Sequence, residues 1–161
     1  MIVRVATAHL IYGYLGSGKS TYARQLSEKV HGVYISLDDW YLRLFTDGTP
    51  TARQEYELLG RLSDAMSDHW PQIVGAGAAV VLDFGFWTRA SRDEARRLAL
   101  TVGSQTVLHW IRCDDEIALA RCVARNDDPH ASFVIDAAAY EALKMRYEEL
   151  DPDEDRIIVD T

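Results

Sequence analysis

Residues 13–20 read GYLGSGKS, the pattern Gly-x-x-x-x-Gly-Lys-Ser, and this stretch decides how the rest of the chain is read. Before it, His9-Leu10-Ile11-Tyr12 has the apolar run of a short buried strand. After it, Ser20 to Val30 places Tyr22, Ala23, Leu26 and Val30 at helical spacing. A glycine-rich turn leading from strand to helix, with Lys and Ser at its end, has the chemistry of a phosphate cradle. Backbone N–H groups point inward and glycines let the main chain approach without a Cβ. Lys19 reaches the β- and γ-oxygens, and the Ser20 hydroxyl ligates Mg²⁺. The ligand implied is a nucleoside triphosphate such as ATP, with Gly13, Gly16, Ser17, Gly18, Lys19, Ser20 and Thr21 as the residues that hold it.

Composition narrows the class. The chain has 161 residues, 48% hydrophobic and 26% charged, which suits one globular domain over residues 1–161. The N-terminal stretch MIVRVATAHLIYGYLG lacks a basic start and a small-residue cleavage site, so it reads as a strand, and a cytoplasmic protein without a membrane span is expected. A net charge of −8 and a pI near 5.0 repel phosphate backbones, so long nucleic acid is disfavoured as a partner. Cys113 and Cys122 have no metal-ligand spacing and are expected to be buried thiols.

Further short apolar runs are read as strands. Residues 32–37 end in Asp38-Asp39, 78–82 end in Asp83, 106–111 end at Arg112-Cys113-Asp114, and 156–160 close the sequence. Helical patterns fall at about 52–74, 91–102, 115–125 and 136–150, and a helix is expected to begin near Trp40. Strands alternating with helices give an α/β fold with a doubly wound sheet.

In such sheets ligands bind beyond the carboxyl ends of the strands, where Asp38, Asp39 and Asp83 are expected. Phosphoryl transfer to a hydroxyl needs a carboxylate to orient the acceptor and take its proton, and Asp38 is the candidate. Either Asp38 or Asp39 is alternatively a helix cap. Asp83 is read as serving the Mg²⁺ ion or the acceptor. Arg121 and Arg125, four apart, share a helix face beside the polar segment 126–132, and a lid over about 126–135 is expected to bring them to the nucleotide. Arg89 and Arg92 are placed on the acceptor side, and Trp40, Tyr41, Phe45, Phe84, Phe86 and Trp87 are divided between an acceptor pocket and the core.

GYLGSGKST, ISLDD, VVLDFGFWTR and the Arg-x-x-x-Arg of RCVARN occur here in the order seen in small P-loop kinases of the adenylate-kinase-like division. Nearly the whole chain resembles that group, which includes zeta-toxin-like proteins, chloramphenicol phosphotransferase and the kinase domain of polynucleotide kinase. The resemblance implies a three-layer P-loop NTPase fold with a five-stranded parallel sheet in the order 2-3-1-4-5, helices on both faces and a short lid. It implies ATP with Mg²⁺, Asp38 as base, Lys19 and Ser20 on phosphates and metal, and Arg121 and Arg125 as lid arginines, Arg125 with a catalytic share. Polynucleotide-kinase-like relatives carry an Arg three residues after the base, where Tyr41 stands here. The function expected is transfer of a γ-phosphoryl group to a small hydroxyl compound held near Asp38, Asp39, Trp40, Asp83 and Arg89. An NTPase switch without an acceptor and a nucleic-acid end kinase are the alternatives.

Overall fold

The computed structural model describes residues 6–45, 52–127 and 134–161. The elements run β1 (Thr7–Tyr12), α1 (Lys19–Val30), β2 (Val33–Ser36), α2 (Leu37–Leu44), α3 (Ala52–Gly75), β3 (Val80–Gly85), α4 (Arg89–Thr101), β4 (Gln105–Arg112), α5 (Asp115–Arg125), α6 (Ala137–Lys144) and β5 (Ile157–Asp160). The five strands form one parallel sheet in the order β2-β3-β1-β4-β5. The P-loop kinase architecture and its strand order are therefore present as expected.

Alternation along the central strands explains why both faces are covered. Ala8, Leu10 and Tyr12 of β1 meet Trp70 and Val74 of α3 and Ala95 and Ala99 of α4. Ile11, on the opposite face, meets Ala23 and Leu26 of α1. On that second face His9 Nδ1 and His109 Nε2 lie 2.9 Å apart, and the Tyr22 hydroxyl is 2.9 Å from His109 Nδ1. These polar atoms satisfy each other inside the sheet–helix layer and lock the first turn of α1, the turn that follows the phosphate loop.

Among the boundaries that differ from the sequence reading, four have a visible reason. The second strand stops at Ser36 because Ser36 caps α2, its hydroxyl accepting from Asp39 N at 3.2 Å, so neither Asp38 nor Asp39 is the cap. Strand β3 runs on through Asp83 to Gly85, because its ladder extends to Ser36↔Asp83 on one side and Tyr12↔Gly85 on the other. Helix α4 begins at Arg89 rather than 91, since Thr88 Oγ1 accepts from Ser91 N. Helix α6 ends at Lys144 instead of reaching 150: Glu148 N donates to Trp87 O at 2.8 Å and Tyr12 donates to Glu148 O at 2.9 Å, which draws the chain out of helical path.

The segment before β5 is pinned by a buried ion pair. Arg92, fully buried, donates from Nε and Nη2 to the two oxygens of Glu154 at 2.8 Å each, and from Nη1 to Phe86 O at 3.0 Å. Arg96 adds a bond to Glu154 Oε1 at 2.7 Å. Burial alone would raise the Glu154 pKa. The guanidiniums of Arg92 and Arg96 outweigh it and hold the carboxyl at about 2, against an ordinary 4.5. This contribution is complete above pH 4.5 and is lost as pH falls toward about 2. Glu154→Gln is expected to cost about 3–5 kcal/mol, because Arg92 is left buried without its counter-charge. Guanidinium denaturation measures it, and a variant within 1 kcal/mol of the parent (about fivefold in the equilibrium) would show that the pair is relaxed by water.

Candidate functional site

The phosphate loop turns sharply between β1 and α1 because its glycines occupy conformations closed to other residues. Gly16 has φ 74°, and a Cβ there would stand 2.1 Å from Ala118 O, so the loop lies directly on α5. Gly18, at φ 83°, is the left-handed N-cap of α1 and offers no side chain to the first-turn N–H groups. Those groups remain available to an external anion, with no acidic residue in the first turn to compete. Trp87 Nε1 donates to Gly13 O at 3.1 Å, and Thr161 donates to Ser17 O at 2.9 Å, so both ends of the loop are braced.

Asp38 enters from the first turn of α2 and is half-buried. Its carboxyl is pushed above the ordinary carboxylate value, first by desolvation and then by the like charges of Asp83 and Asp39, while Lys19 and Arg125 pull it back. The charges of Lys19 in the first turn of α1, Asp83 of β3 and Arg125 of α5 are felt at this one carboxyl.

Asp83 is buried. Its Oδ2 accepts from the Tyr34 hydroxyl at 3.1 Å, while Oδ1 has no hydrogen-bond partner among the described residues. Ser17 Oγ, inside the loop, is a second buried atom without a partner among the described residues. Buried orphans of this kind call for an unseen partner. A hydroxyl (Ser20) and a carboxylate (Asp83) are hard oxygen donors of the kind Mg²⁺ uses when it keeps several waters. Among the described residues no group of three or more His, Cys, Asp and Glu side chains could form an all-protein metal cage. The Ser20 hydroxyl and the unpaired Asp83 oxygen are donors that would suit Mg²⁺ bound together with a nucleotide.

Other expected residues are used differently. Asp39 is bound by Arg24, whose Nη2 lies 3.0 Å from Oδ2, which stiffens the junction between α1 and α2. Arg89 spends its guanidinium on Asp93, Asp151 and Asp153 at 2.9–3.0 Å. Arg92 is in the buried pair with Glu154. These two arginines hold the segment before β5, their charges matched by acids of the protein itself. Tyr41 and Phe86 are buried, Phe84 stacks on Phe86 with ring centroids 5.6 Å apart, and Trp40 stays 44% exposed beside Asp38 and Asp39. Arg121 rests against the loop, its Nη1 3.4 Å from Gly16 O and from Thr161 Oγ1. Arg125 contacts Cys122 Sγ at 3.5 Å while its charge reaches Asp38. Cys113 and Cys122 are free thiols, the second buried. Residues 128–133 of the expected lid lie outside the described residues. Beside that segment, the Asn126 amide exchanges two 2.9 Å hydrogen bonds with the Ile135 backbone.

The sequence reading missed Ser36, Tyr34 and Glu55, and it placed Trp87 in the pocket or core without seeing its bond to the loop. Ser36-x-x-Asp39 has the spacing of a capping box and was legible. The reach of Trp87 to Gly13 and of Tyr34 to Asp83 comes from strand register, which local pattern does not carry. Glu55, in the first turn of α3, has its carboxyl raised by burial and by the charge of Asp38.

A family model described as an AAA domain, AAA_33, matches residues 9–150. A comparison with curated protein sequences gave no significant match. Among solved structures, a candidate kinase from Chloroflexus aurantiacus superposes with a TM-score of 0.79 at 13% identity, covering 97% of this chain and 88% of that one. Kti12 of Chaetomium thermophilum, in complex with ADP-AlF3, gives 0.72 at 20% identity over 96% and 88%. A gluconokinase from Sinorhizobium meliloti gives 0.62 at 16% over 98% and 83%. At these identities the likeness establishes the fold. Among the described residues no helix is long and apolar enough to cross a membrane.

Proposed function

The chain belongs to the AAA_33 family, and from that premise we propose that it is an ATP-dependent kinase that transfers the γ-phosphoryl group to a hydroxyl of a small molecule. The observation that carries the reading is the half-buried Asp38 in the first turn of α2, just past Ser36, which is in register with the buried Asp83 of β3 across from the phosphate loop's strand. A carboxylate with a raised pKa, next to the cations that would face phosphates, is placed to take a hydroxyl proton as the phosphorus–oxygen bond forms. Lys19 and the open N–H groups of α1 would bind the β- and γ-phosphates, and Ser20 with Asp83 would hold Mg²⁺, whose charge would stabilise the transferred group. The relatives support the nucleotide: Kti12 was captured with ADP-AlF3, and the gluconokinase is named for a small hydroxyl acid.

The reading is tested by titrating Mg²⁺ with a non-hydrolysable ATP analogue into the protein and by following ADP release against a panel of hydroxyl compounds. Tight analogue binding and acceptor-stimulated ADP release are expected. Release that ignores every acceptor would turn the reading toward a hydrolase.

The arginines divide the labour in this scheme. Arg121, on the loop backbone, contributes to holding the nucleotide, and Arg125, whose field reaches Asp38, contributes to the transferring phosphoryl group. Arg125→Ala is expected to lower kcat by about tenfold to a hundredfold with a small change in ATP affinity, and Arg121→Ala to weaken ATP affinity more than kcat. Initial rates against ATP concentration separate the two. Equal effects of both variants on both constants would remove the distinction.

A further inference from the structure

Strand β5 stands at one end of the sheet, with β4 on one side and no described strand on the other. Its bonds to β4 show which way its backbone points. Thr161 N donates to Arg112 O at 3.0 Å, and the parallel register runs from His109↔Ile157 to Arg112↔Asp160, so residues 157, 159 and 161 turn their N–H and C=O groups toward β4. Those of Ile158 and Asp160 face outward. The side chains are uncovered as well: Ile157 is 48% and Ile158 46% exposed, and the two lie on opposite faces of the sheet. A row of open backbone groups flanked by exposed isoleucines is a template for another strand.

The charges at its two ends decide which strand fits. From the residue before it, β5 reads Arg156-Ile157-Ile158-Val159-Asp160, positive at one end, negative at the other and apolar between. Paired antiparallel with an identical strand about a twofold axis at Ile158, it sets Ile158 against Ile158, Ile157 against Val159 and Arg156 against Asp160, the last two twice over by symmetry. The hydrogen bonds of that pairing are the ones Ile158 and Asp160 offer outward. A slip of one residue sets outward groups of one copy against inward groups of the other. A slip of two sets Asp160 against Glu154 in one direction and against Ile158 in the other, so of these registers only the central one brings opposite charges together.

Both charged groups are accessible for this pairing. Asp160, its side chain 71% exposed, accepts from Arg112 Nε and Nη2 at 2.7 and 3.0 Å, and a carboxylate has lone pairs for a further donor. Arg156 donates to Asp151 O and Glu154 O, both from Nη1, and its guanidinium lies 5.5 Å from the Trp110 ring, on the sheet face that Asp160 shares. The neighbouring acids do not oppose the contact. Asp151 and Asp153 are taken by Arg89 and Glu154 by Arg92 and Arg96, while Asp155 falls opposite Thr161 of the second copy.

We propose that this edge is where two copies of the chain associate, their β5 strands pairing antiparallel about Ile158 and joining the two sheets into one continuous sheet. One strand pair is small against the roughly 1,200 Å² of a stable interface, and each copy carries a net charge of −8, so the association is expected to be weak and concentration-dependent.

Sedimentation of the whole chain from micromolar to millimolar concentration, at roughly 0.15 M salt, tests it. The average mass is expected to rise from that of one copy toward that of two. Ile158→Pro removes an N–H that makes no bond to β4 but closes the pairing at the twofold axis, so it should weaken association about tenfold or more while the melting temperature stays close to the parent's. The end charges give a second route that does not depend on that variant folding. Arg156→Asp and Asp160→Lys should each weaken self-association, because like charges then meet at both ends. An equimolar mixture of the two should restore it, since unlike charges again face each other at both ends. A chain that stays a single copy over the whole range, a dimer unaffected by a folded Ile158→Pro variant, or a mixture that associates no better than either charge variant alone would overturn the proposal.

Discussion

Lys19→Ala is expected to lower turnover by about two to three orders of magnitude and to weaken Mg²⁺·ATP binding, with the fold intact. The side chain sits at the first position of α1, half-buried, and no ion pair with a described residue holds it in place. Removing it costs the core nothing that a methyl group cannot replace. What it removes is a cation acting on β/γ oxygens, which carry more negative charge as the phosphoryl group leaves. A second consequence is measurable without ligand affinity. Lys19 is one of two cations that pull the Asp38 pKa down against burial, so its loss lets that pKa climb further. Turnover that needs ionised Asp38 falls as pH drops through that pKa. The acid limb of the rate profile should therefore move to higher pH in Lys19→Ala. A folded variant with parental ATP affinity, parental rate and an unmoved acid limb would remove the loop from the site.

How much of this was legible in the sequence follows from which forces are local. The phosphate loop was fully readable because backbone conformation and ligand chemistry are written in the same eight residues. Gly16 and Gly18 adopt positive φ where a side chain would be strained or would strike Ala118. The five strands were legible as apolar runs, since a parallel sheet covered on both faces demands them. Their order came only from the resemblance. Helix ends were missed wherever a tertiary hydrogen bond set them, as with Glu148 N on Trp87 O, which stops the chain from continuing α6 through to residue 150.

Arg89 and Arg92 mark the clearest limit. Their position after VVLDFGFWT suggested the acceptor side, but the acids that claim them, Asp151, Asp153 and Glu154, lie some sixty residues away and reach them only because β4 and β5 are neighbours. A charge's partner is a fact of topology. Asp38 was the converse case, because a carboxylate just past a strand end in this fold class projects into the crevice whatever the remote sequence does.

Asp38→Asn is the variant in which chemistry and stability should part. If Asp38 takes the acceptor proton, the amide cannot, and kcat should fall by about two to four orders of magnitude with ATP affinity nearly unchanged. Stability should move the other way. The Asp38 pKa is raised in the folded protein by burial and by Asp83 and Asp39, so the folded state binds its proton more tightly than the unfolded state does. Stability from this group is therefore greatest at low pH and declines as pH rises through the raised pKa, leaving a cost at neutral pH. An uncharged amide of the same shape abolishes that cost. Because Ser36, and not Asp38, caps α2, no helix end is lost in exchange. The variant should melt at the same temperature as the parent or higher at neutral pH, with the difference shrinking as pH is lowered. A structural aspartate gives the opposite pattern, a lower melting temperature with turnover following the folded fraction. Rate and melting curve measured on one preparation at two pH values distinguish them: a slow, stable variant identifies a base held at a loss for its chemistry, and a fast or unfolded one returns Asp38 to the scaffold.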